Sequence, residues 1–250
     1  MKKQLCALAL AALIPGFSGC HSDKQIIKKD SVLVNRANNN YARGRLTQAS
    51  EEYRKLINEH PDSSFRKQAI IALADTLYKD KKYFEAVLYY ERFIQLYPLD
   101  PLTSRAQFYL AMSHYNDTST LDRDQTSTVK TVEAFEVFLK RYPKHLLVPY
   151  AKEKKRDMEQ LRSKSMMDIA RFYRKINRNQ SAITRLNEFI DLYPDSGEAP
   201  EALFLIAECY MAEQSFKNAA LAYTWILDNY PDSEYAPKAA IEAQKLKLKK

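Results

Sequence analysis

The fold is decided by residues 219–239, which read AALAYTWILDNYPDSEYAPKA. Ala219 and Tyr223 lie four residues apart, and an Ile–Leu pair follows three and four residues later, so all of them share one face of an α-helix. Pro231 ends that helix, because proline lacks the N–H that a helix interior requires. Pro237 suits the first turn of a second helix, where its missing N–H has no helical partner.

The same pattern occurs five times along the chain, each time before an aromatic–proline or histidine–proline step. The prolines lie at intervals of 37, 45, 51 and 37 residues: Pro61, Pro98, Pro143, Pro194 and Pro231. Twelve residues before each proline is a small side chain, at Ala49, Ala86, Thr131, Ala182 and Ala219. Eight residues before it is a large one, at Tyr53, Tyr90, Phe135, Leu186 and Tyr223. We therefore predict five amphipathic helices with these side chains as packing anchors.

A second set of alanines opens another apolar stripe eight residues after each proline, at Ala69, Ala106, Ala151, Ala202 and Ala239. The repeating unit is therefore a helix, a short turn, a second helix and a tight turn. This spacing resembles the tetratricopeptide repeat (TPR), whose usual period is about 34 residues. The resemblance implies an all-α, TPR-type helical repeat superhelix with five helix–turn–helix repeats over residues 31–250 and a concave groove.

The first nineteen residues have the features of a secretory signal peptide. Lys2 and Lys3 precede an apolar run, and small residues lead into Cys20. The run is too short to cross a bilayer core of about 30 Å. The pattern resembles the lipobox of bacterial lipoproteins, which implies a signal peptide over residues 1–19, lipidation of Cys20 by palmitate-type chains and a tether over residues 20–30. The alternative is an ordinary signal peptide followed by a chance cysteine.

The composition favours a helical binding protein over an enzyme. The chain has 250 residues, 46% hydrophobic side chains and only four glycines, which suits helices. Its net charge of +8 permits an acidic partner or an anionic membrane surface, while export argues against nucleic acid. The four histidines are scattered, no glycine-rich phosphate loop is present, and Cys209 lies alone in an apolar stretch. We therefore expect no catalytic residues, no metal and no cofactor.

The third repeat carries eight extra residues within a polar segment over 116–128, which predicts a surface loop between the two helices of that repeat. Departures from a regular array are where binding residues are most expected. The candidate partner-binding residues in this loop are Asp122, Arg123, Asp124, Gln125 and Thr126. Their side chains either hold the loop by capping and charge-assisted hydrogen bonds or contact a partner, and the sequence leaves both alternatives open.

The fourth repeat interval adds fourteen residues, about four helical turns. No proline or glycine occurs between Pro149 and Pro194, so we predict one long helix over about 149–176. An apolar stripe follows it, at Met158, Leu161, Ile169, Phe172 and Ile176. Its other faces are basic, at Lys152, Lys154, Lys155, Arg156, Arg162, Lys164, Arg171, Arg174, Lys175 and Arg178. These cations are either solvated or dock onto an acidic domain or the membrane surface.

Taken together, these features resemble the BamD family, the outer-membrane lipoproteins of the β-barrel assembly (BAM) machinery. The resemblance spans the whole chain and is most specific in the loop from Asp122 to Thr126. It implies a scaffold, not an enzyme, that is lipid-anchored on the periplasmic face of the outer membrane. The implied partners are the POTRA domains of a BamA-like barrel protein, unfolded outer-membrane proteins and other Bam lipoproteins.

One arginine can be carried over from the family by its position. Arg185 matches the arginine that family members use against an acidic BamA residue, and the planar guanidinium suits such a carboxylate contact. The residues alone allow the simpler interpretation of a surface arginine on the second helix of the fourth repeat. His60 departs from the family pattern, because it replaces the tyrosine usual before the first repeat proline.

A second adaptor family shares part of the pattern. YbgF-like TolA-binding proteins of the Tol–Pal system have Tyr-Pro-x-Ser-x-Tyr-Ala-Pro turns like residues 230–237. That family has an N-terminal coiled coil and no lipidated cysteine. Because Cys20 lies close before the first expected helix, the sequence favours the assembly scaffold over the Tol–Pal adaptor.

Overall fold

The computed structural model describes residues 20–118 and 125–247, with side chains over 29–117 and 126–247. Within these ranges the chain forms helices and turns and contains no strand. The helices are α1 (Cys20–Ala42), α2 (Leu46–Glu59), α3 (Arg66–Lys79), α4 (Tyr83–Leu96), α5 (Thr103–Thr118), α6 (Gln125–Arg141), α7 (Val148–Lys175), α8 (Asn179–Leu192), α9 (Ala199–Ala212), α10 (Phe216–Asn229) and α11 (Ala236–Lys247).

The chain divides into two compact units, Met1–Ala106 and Gln107–Lys250, with the boundary inside α5. In the first unit α2 packs against α1 and α3, and α3 packs against α4. In the second unit each helix from α6 to α11 packs against the next one along the chain. Short turns join these helices, so neighbouring helices run antiparallel. The prediction of an all-α fold built from TPR-type helix pairs is confirmed.

The core consists of the small and large side chains that the repeat spacing singled out. Every one of the ten side chains twelve and eight residues before a repeat proline has a relative exposure of 2% or less. Two of the buried tyrosines also make the same hydrogen bond: the hydroxyl of Tyr53 donates to Asn38 at 2.6 Å, and that of Tyr90 donates to Asp75 at 2.8 Å. Each of these two tyrosines therefore buries its aromatic ring, a contribution of about 2 kcal/mol, while its hydroxyl keeps a partner.

The proline turns between repeats share one hydrogen-bond pattern. The residue before each proline donates its N–H to the carbonyl four residues back, which closes the helix. The residue two after the proline donates its N–H to the carbonyl of the residue before the proline, at 3.0–3.1 Å in all five turns. In two turns a serine at this place also accepts a backbone N–H, Ser63 from Phe65 and Ser196 from Glu198. This local capping explains why a proline–x–serine sequence recurs.

The first helix begins earlier than the sequence analysis predicted. We expected a tether over residues 20–30, whereas α1 begins at Cys20. No proline or glycine occurs within α1, so nothing in its backbone stops the helix. Asp30 is buried, and its Oδ1 lies 2.9 Å from Nδ1 of His60 at the end of α2. Residue 30 is therefore part of the packed helix pair.

The loop in the third repeat is shorter than the predicted range of 116–128. Helix α5 continues to Thr118 and α6 begins at Gln125, so the residues between them are 119–124, which lie outside the described residues. The prediction took polar composition as the sign of a loop, but polar residues can also occupy buried helix positions. Thr128, within the predicted loop, is buried in α6 with 5% relative exposure.

The long helix of the fourth repeat, α7, spans Val148–Lys175, against an expected range of about 149–176. Its 28 residues are twice the 14 of α3 or α9. Ala151, eight residues after one repeat proline, and Ala170, 24 residues before the next, are both buried along it. The two halves of α7 thus hold packing positions that α3 and α9 each combine in a single short helix.

Candidate partner-binding surfaces

Arg185 lies on α8 with an exposed side chain. Its Nη1 donates to Oε2 of Glu188 at 2.8 Å, one turn along the same helix. Exposed pairs of this kind contribute only about 0.3–0.5 kcal/mol, so the guanidinium can exchange Glu188 for another carboxylate at little cost. Arg185 and Glu188 also border a shallow groove of about 340 Å³ between α7 and α8, whose apolar lining includes Ile169 and Phe172.

The other predicted site residues lie at or beyond the edges of the described structure. Asp122, Arg123 and Asp124 lie outside the described residues, and Gln125 and Thr126 form the start of α6. Cys20 is the first residue of α1. Its side chain lies outside the described side chains.

Several cations of α7 are bound by acids of the same unit. Arg171 makes a two-pronged contact with Glu201 of α9, from Nε at 3.0 Å and from Nη2 at 2.8 Å. This hydrogen bonding with Glu201 raises the pKa of Arg171, since it favours the charged guanidinium. Arg174 pairs with Glu208 of α9 at 2.6 Å.

Two lysines in the first half of α7 also contact neighbouring side chains. Lys155 reaches Glu136 of α6 at 3.1 Å and Glu159 of its own helix at 2.9 Å. Lys154 contacts Asp157 at 3.2 Å, and its Nζ lies 5.4 Å from the ring centre of Tyr115. Lys154, Lys155, Arg171 and Arg174 therefore hold α7 against its neighbouring helices. The sequence analysis did not consider this role.

The apolar stripe predicted along α7 divides between the core and the surface. Met158 is buried, as expected for a core residue. Leu161, Phe172 and Ile176 are instead exposed by 44%, 57% and 47%. Sequence reasoning missed this surface because helical periodicity shows that residues share a face and not which neighbour covers it. The doubled length of the helix was the available signal.

A second exposed apolar surface lies on α10. Leu221 and Trp225 are both more than half exposed beside a groove of about 570 Å³. The lining of this groove combines apolar side chains with amides such as Asn187 and Asn218. An amide can both donate and accept hydrogen bonds, so these side chains can pair with the backbone of a bound polypeptide.

The described residues offer little to catalytic chemistry. Cys209 is buried, and burial raises its pKa to about 11, which keeps the thiol protonated and unreactive at neutral pH. Within residues 20–118 and 125–247 no group of three His, Cys, Asp or Glu side chains could hold a metal ion. In the same part of the chain, none of the helices has the length and apolar character needed to cross a bilayer.

Comparison with known proteins identifies a family. The family model YfiO, described as an outer membrane lipoprotein, matches residues 27–224. The outer membrane protein assembly factor BamD of Rickettsia prowazekii (strain Madrid E) is 31% identical over 243 residues, which cover 94% of each chain. BamD of Caulobacter vibrioides is 28% identical over 90% of this chain and 78% of the relative.

Among solved structures, the TPR2AB domain of yeast Sti1 in complex with pHSP90 aligns with a TM-score of 0.43 and 14% identity, over 88% of this chain and 84% of that one. The Rickettsia and Caulobacter relatives are both BamD proteins, which supports the assembly scaffold over the Tol–Pal alternative. The family model spans most of α1 and all of α2 to α9, and the alignment with the Rickettsia protein extends over nearly the entire chain. The chain therefore belongs to the BamD (YfiO) family of outer membrane lipoproteins.

Proposed function

We propose that this chain is a lipid-anchored scaffold of the BAM complex on the periplasmic face of the outer membrane, where it helps to fold and insert outer-membrane proteins. The observation that carries this proposal is the alignment with a BamD assembly factor over 94% of both chains. The packed helix pairs support it, because stacked repeats provide extended surfaces for binding other proteins. In this role the chain binds its partners and performs no chemistry.

The first proposed partner is a BamA-like barrel protein, bound through a POTRA domain at Arg185. Arg185 is exposed, and its present partner Glu188 is a weakly held surface carboxylate. A carboxylate from the POTRA domain can take the place of Glu188 and meet the guanidinium through two parallel hydrogen bonds. The loop residues from Asp122 to Thr126 form the second proposed partner contact.

Unfolded outer-membrane proteins and other Bam lipoproteins complete the proposed set of partners.

Charge reversal at Arg185 tests the first partner. We expect Arg185→Glu to reduce the co-purification of the POTRA-bearing barrel protein from solubilised membranes at least tenfold. The reason is that the variant places a carboxylate against the acidic residue of the POTRA domain. Lys217→Glu is the matched control, since Lys217 is also exposed, on α10, and its reversal changes the net charge by the same amount. Equal recovery with both variants removes Arg185 from the contact, and recovery of TolA in place of the barrel protein contradicts the proposed function.

The proposed anchor is a lipidated Cys20. Several acyl chains on one residue hold a protein on a membrane effectively permanently, since each buried methylene contributes about 0.8 kcal/mol. We expect radiolabelled palmitate to enter the wild-type chain and not Cys20→Ala. Cys209→Ala is the matched control and keeps the label. Incorporation of label into Cys20→Ala would exclude this anchor.

A further inference from the structure

The doubled length of α7 uncovers a helix face that the regular repeats bury. Three positions, at 29, 25 and 22 residues before a repeat proline, define this face. In α9 they are occupied by Ala202, Ile206 and Cys209, with relative exposures of 0%, 4% and 1%. In α3 the corresponding residues are Ala69, Leu73 and Thr76, and all three are fully buried. The face is therefore a core position of the regular repeat.

The element that covers this face is the helix that ends the preceding repeat. In the fifth repeat that helix is α8: its Ala182 and Ile183 pack around Cys209, and its Leu186 belongs to the same core cluster as Ile206. In the second repeat the corresponding helix is α2, which packs against α3. In both of these repeats the short helix, α3 or α9, thus receives a covering helix from the repeat before it.

In α7 the corresponding residues are Ser165, Ile169 and Phe172, of which the first two are partly exposed and Phe172 is 57% exposed. The preceding helix, α6, packs on the first half of α7, where it meets Lys155 through Glu136. Its 17 residues span about 26 Å, whereas the 28 residues of α7 span about 42 Å. Helix α6 is thus too short to cover both halves of α7.

The uncovered face has the size and chemistry of a helix-binding site. It runs from Leu161 to Ile176, about 22 Å at 1.5 Å per residue, which matches a covering helix of 14 or 15 residues. Two adjoining grooves, of about 430 and 340 Å³, follow it and share Ile169 and Phe172. Lys164 and Asp168 line the first groove, and Arg185 and Glu188 line the second. Asp168 already pairs with Arg171, and Glu188 with Arg185. Among these lining residues this leaves Lys164 as the cation without an acidic partner.

We propose that an amphipathic helix from another protein fills this vacant position, packing its apolar stripe on Leu161, Ile169, Phe172 and Ile176. Its flanks carry one acidic residue that meets Lys164 and another that displaces Glu188 from Arg185. The helix takes the place that a preceding helix such as α8 holds in a regular repeat, so it packs through residues spaced by three and four. Since Arg185 borders the groove, this inference adjoins the proposed POTRA contact, but it does not require that the donor carry a POTRA domain.

Photo-crosslinking from three positions on the face tests this proposal. The photoreactive residue p-benzoylphenylalanine replaces Leu161, Phe172 or Ile176 in the full-length lipoprotein in cells, and mass spectrometry identifies the linked residues. Gln160 is the matched control, because it is exposed on the opposite side of α7. We expect crosslinks from the three positions to one segment of another protein, at residues spaced by three or four, and none from Gln160. Linked residues spaced by two, links to a second copy of this chain or to lipid, or no links above the control each overturn the proposal.

A variant of the face provides the second measurement. With the photoreactive residue at Ile176, we expect Phe172→Glu to lower the crosslink yield at least fivefold and to leave the melting temperature unchanged, since Phe172 contributes little to the core. An unchanged yield overturns the proposal. A linked helix from a protein without POTRA domains supports it, while the POTRA contact proposed at Arg185 is decided by the charge-reversal experiment, so the two ideas can fail separately.

Discussion

At the scale of single residues, the turns inside four helix pairs depend on one backbone conformation. Gly44, Lys81, Asn177 and Gln214 all have φ between 57° and 72° and lie seventeen residues before a repeat proline. The next residue donates its N–H to a carbonyl five residues back, as Ser215 does to Tyr210 at 2.8 Å, which closes the preceding helix. Only Gly44 adopts this conformation without steric cost, because a Cβ atom disfavours positive φ.

We therefore expect Gln214→Gly to raise the free energy of unfolding by about 0.5–1 kcal/mol, since it relieves the strain at a position where the helix has already ended. Gln160→Gly is the matched control and should lower it by about 1 kcal/mol, because Gln160 lies within α7. Urea unfolding followed by circular dichroism measures both values. Destabilisation by both variants would contradict the account of these turns.

Residue spacing predicted the core anchors well and the polar contacts poorly. Ala219 and Tyr223 could be assigned to the core because the packed face of a helix needs a small and a large side chain at a fixed separation. The pairing of His60 with Asp30 could not be assigned, because it joins residues thirty positions apart whose helices must first be packed together. The histidine was visible in the sequence as a departure from tyrosine, but its partner was not.

At the scale of one element, α7 shows the same division. Its length follows from an uninterrupted stretch without proline or glycine, so the sequence could predict it. The ion-pair partners of its cations could not be predicted, because Arg171 pairs with Glu201, thirty residues further along the chain. The same limit applies to Phe172, whose exposure depends on which helix covers it.

The contact between Arg171 and Glu201 gives a test at this scale. We expect a double-mutant cycle with Arg171→Met and Glu201→Gln to give a coupling energy of about 1 kcal/mol, because the two-pronged contact ties α7 to α9 and is partly shielded from water. The exposed pair Arg185 and Glu188 is the matched control, with an expected coupling of about 0.3 kcal/mol. Equal couplings in the two cycles would show that Arg171 does not hold the helices together.

At the scale of the whole molecule, repeat architecture and function are connected through exposed helix faces. A stack of helix pairs buries each repeat against its neighbours and leaves its remaining faces for partners. The sequence predicted this architecture from five proline turns, and family relationship then identified an assembly factor. The uncovered face of α7 emerged only from the structure, because it depends on the packing of α6 and α8.

The most direct test of the proposed function is depletion of this protein in its own bacterium, followed by measurement of folded outer-membrane β-barrel proteins by their heat-modifiable migration in gels. We predict that the folded barrel fraction falls several-fold and is restored by the wild-type chain. Unchanged barrel levels, together with the defects in envelope constriction expected on loss of a Tol–Pal adaptor, would contradict a role in barrel assembly.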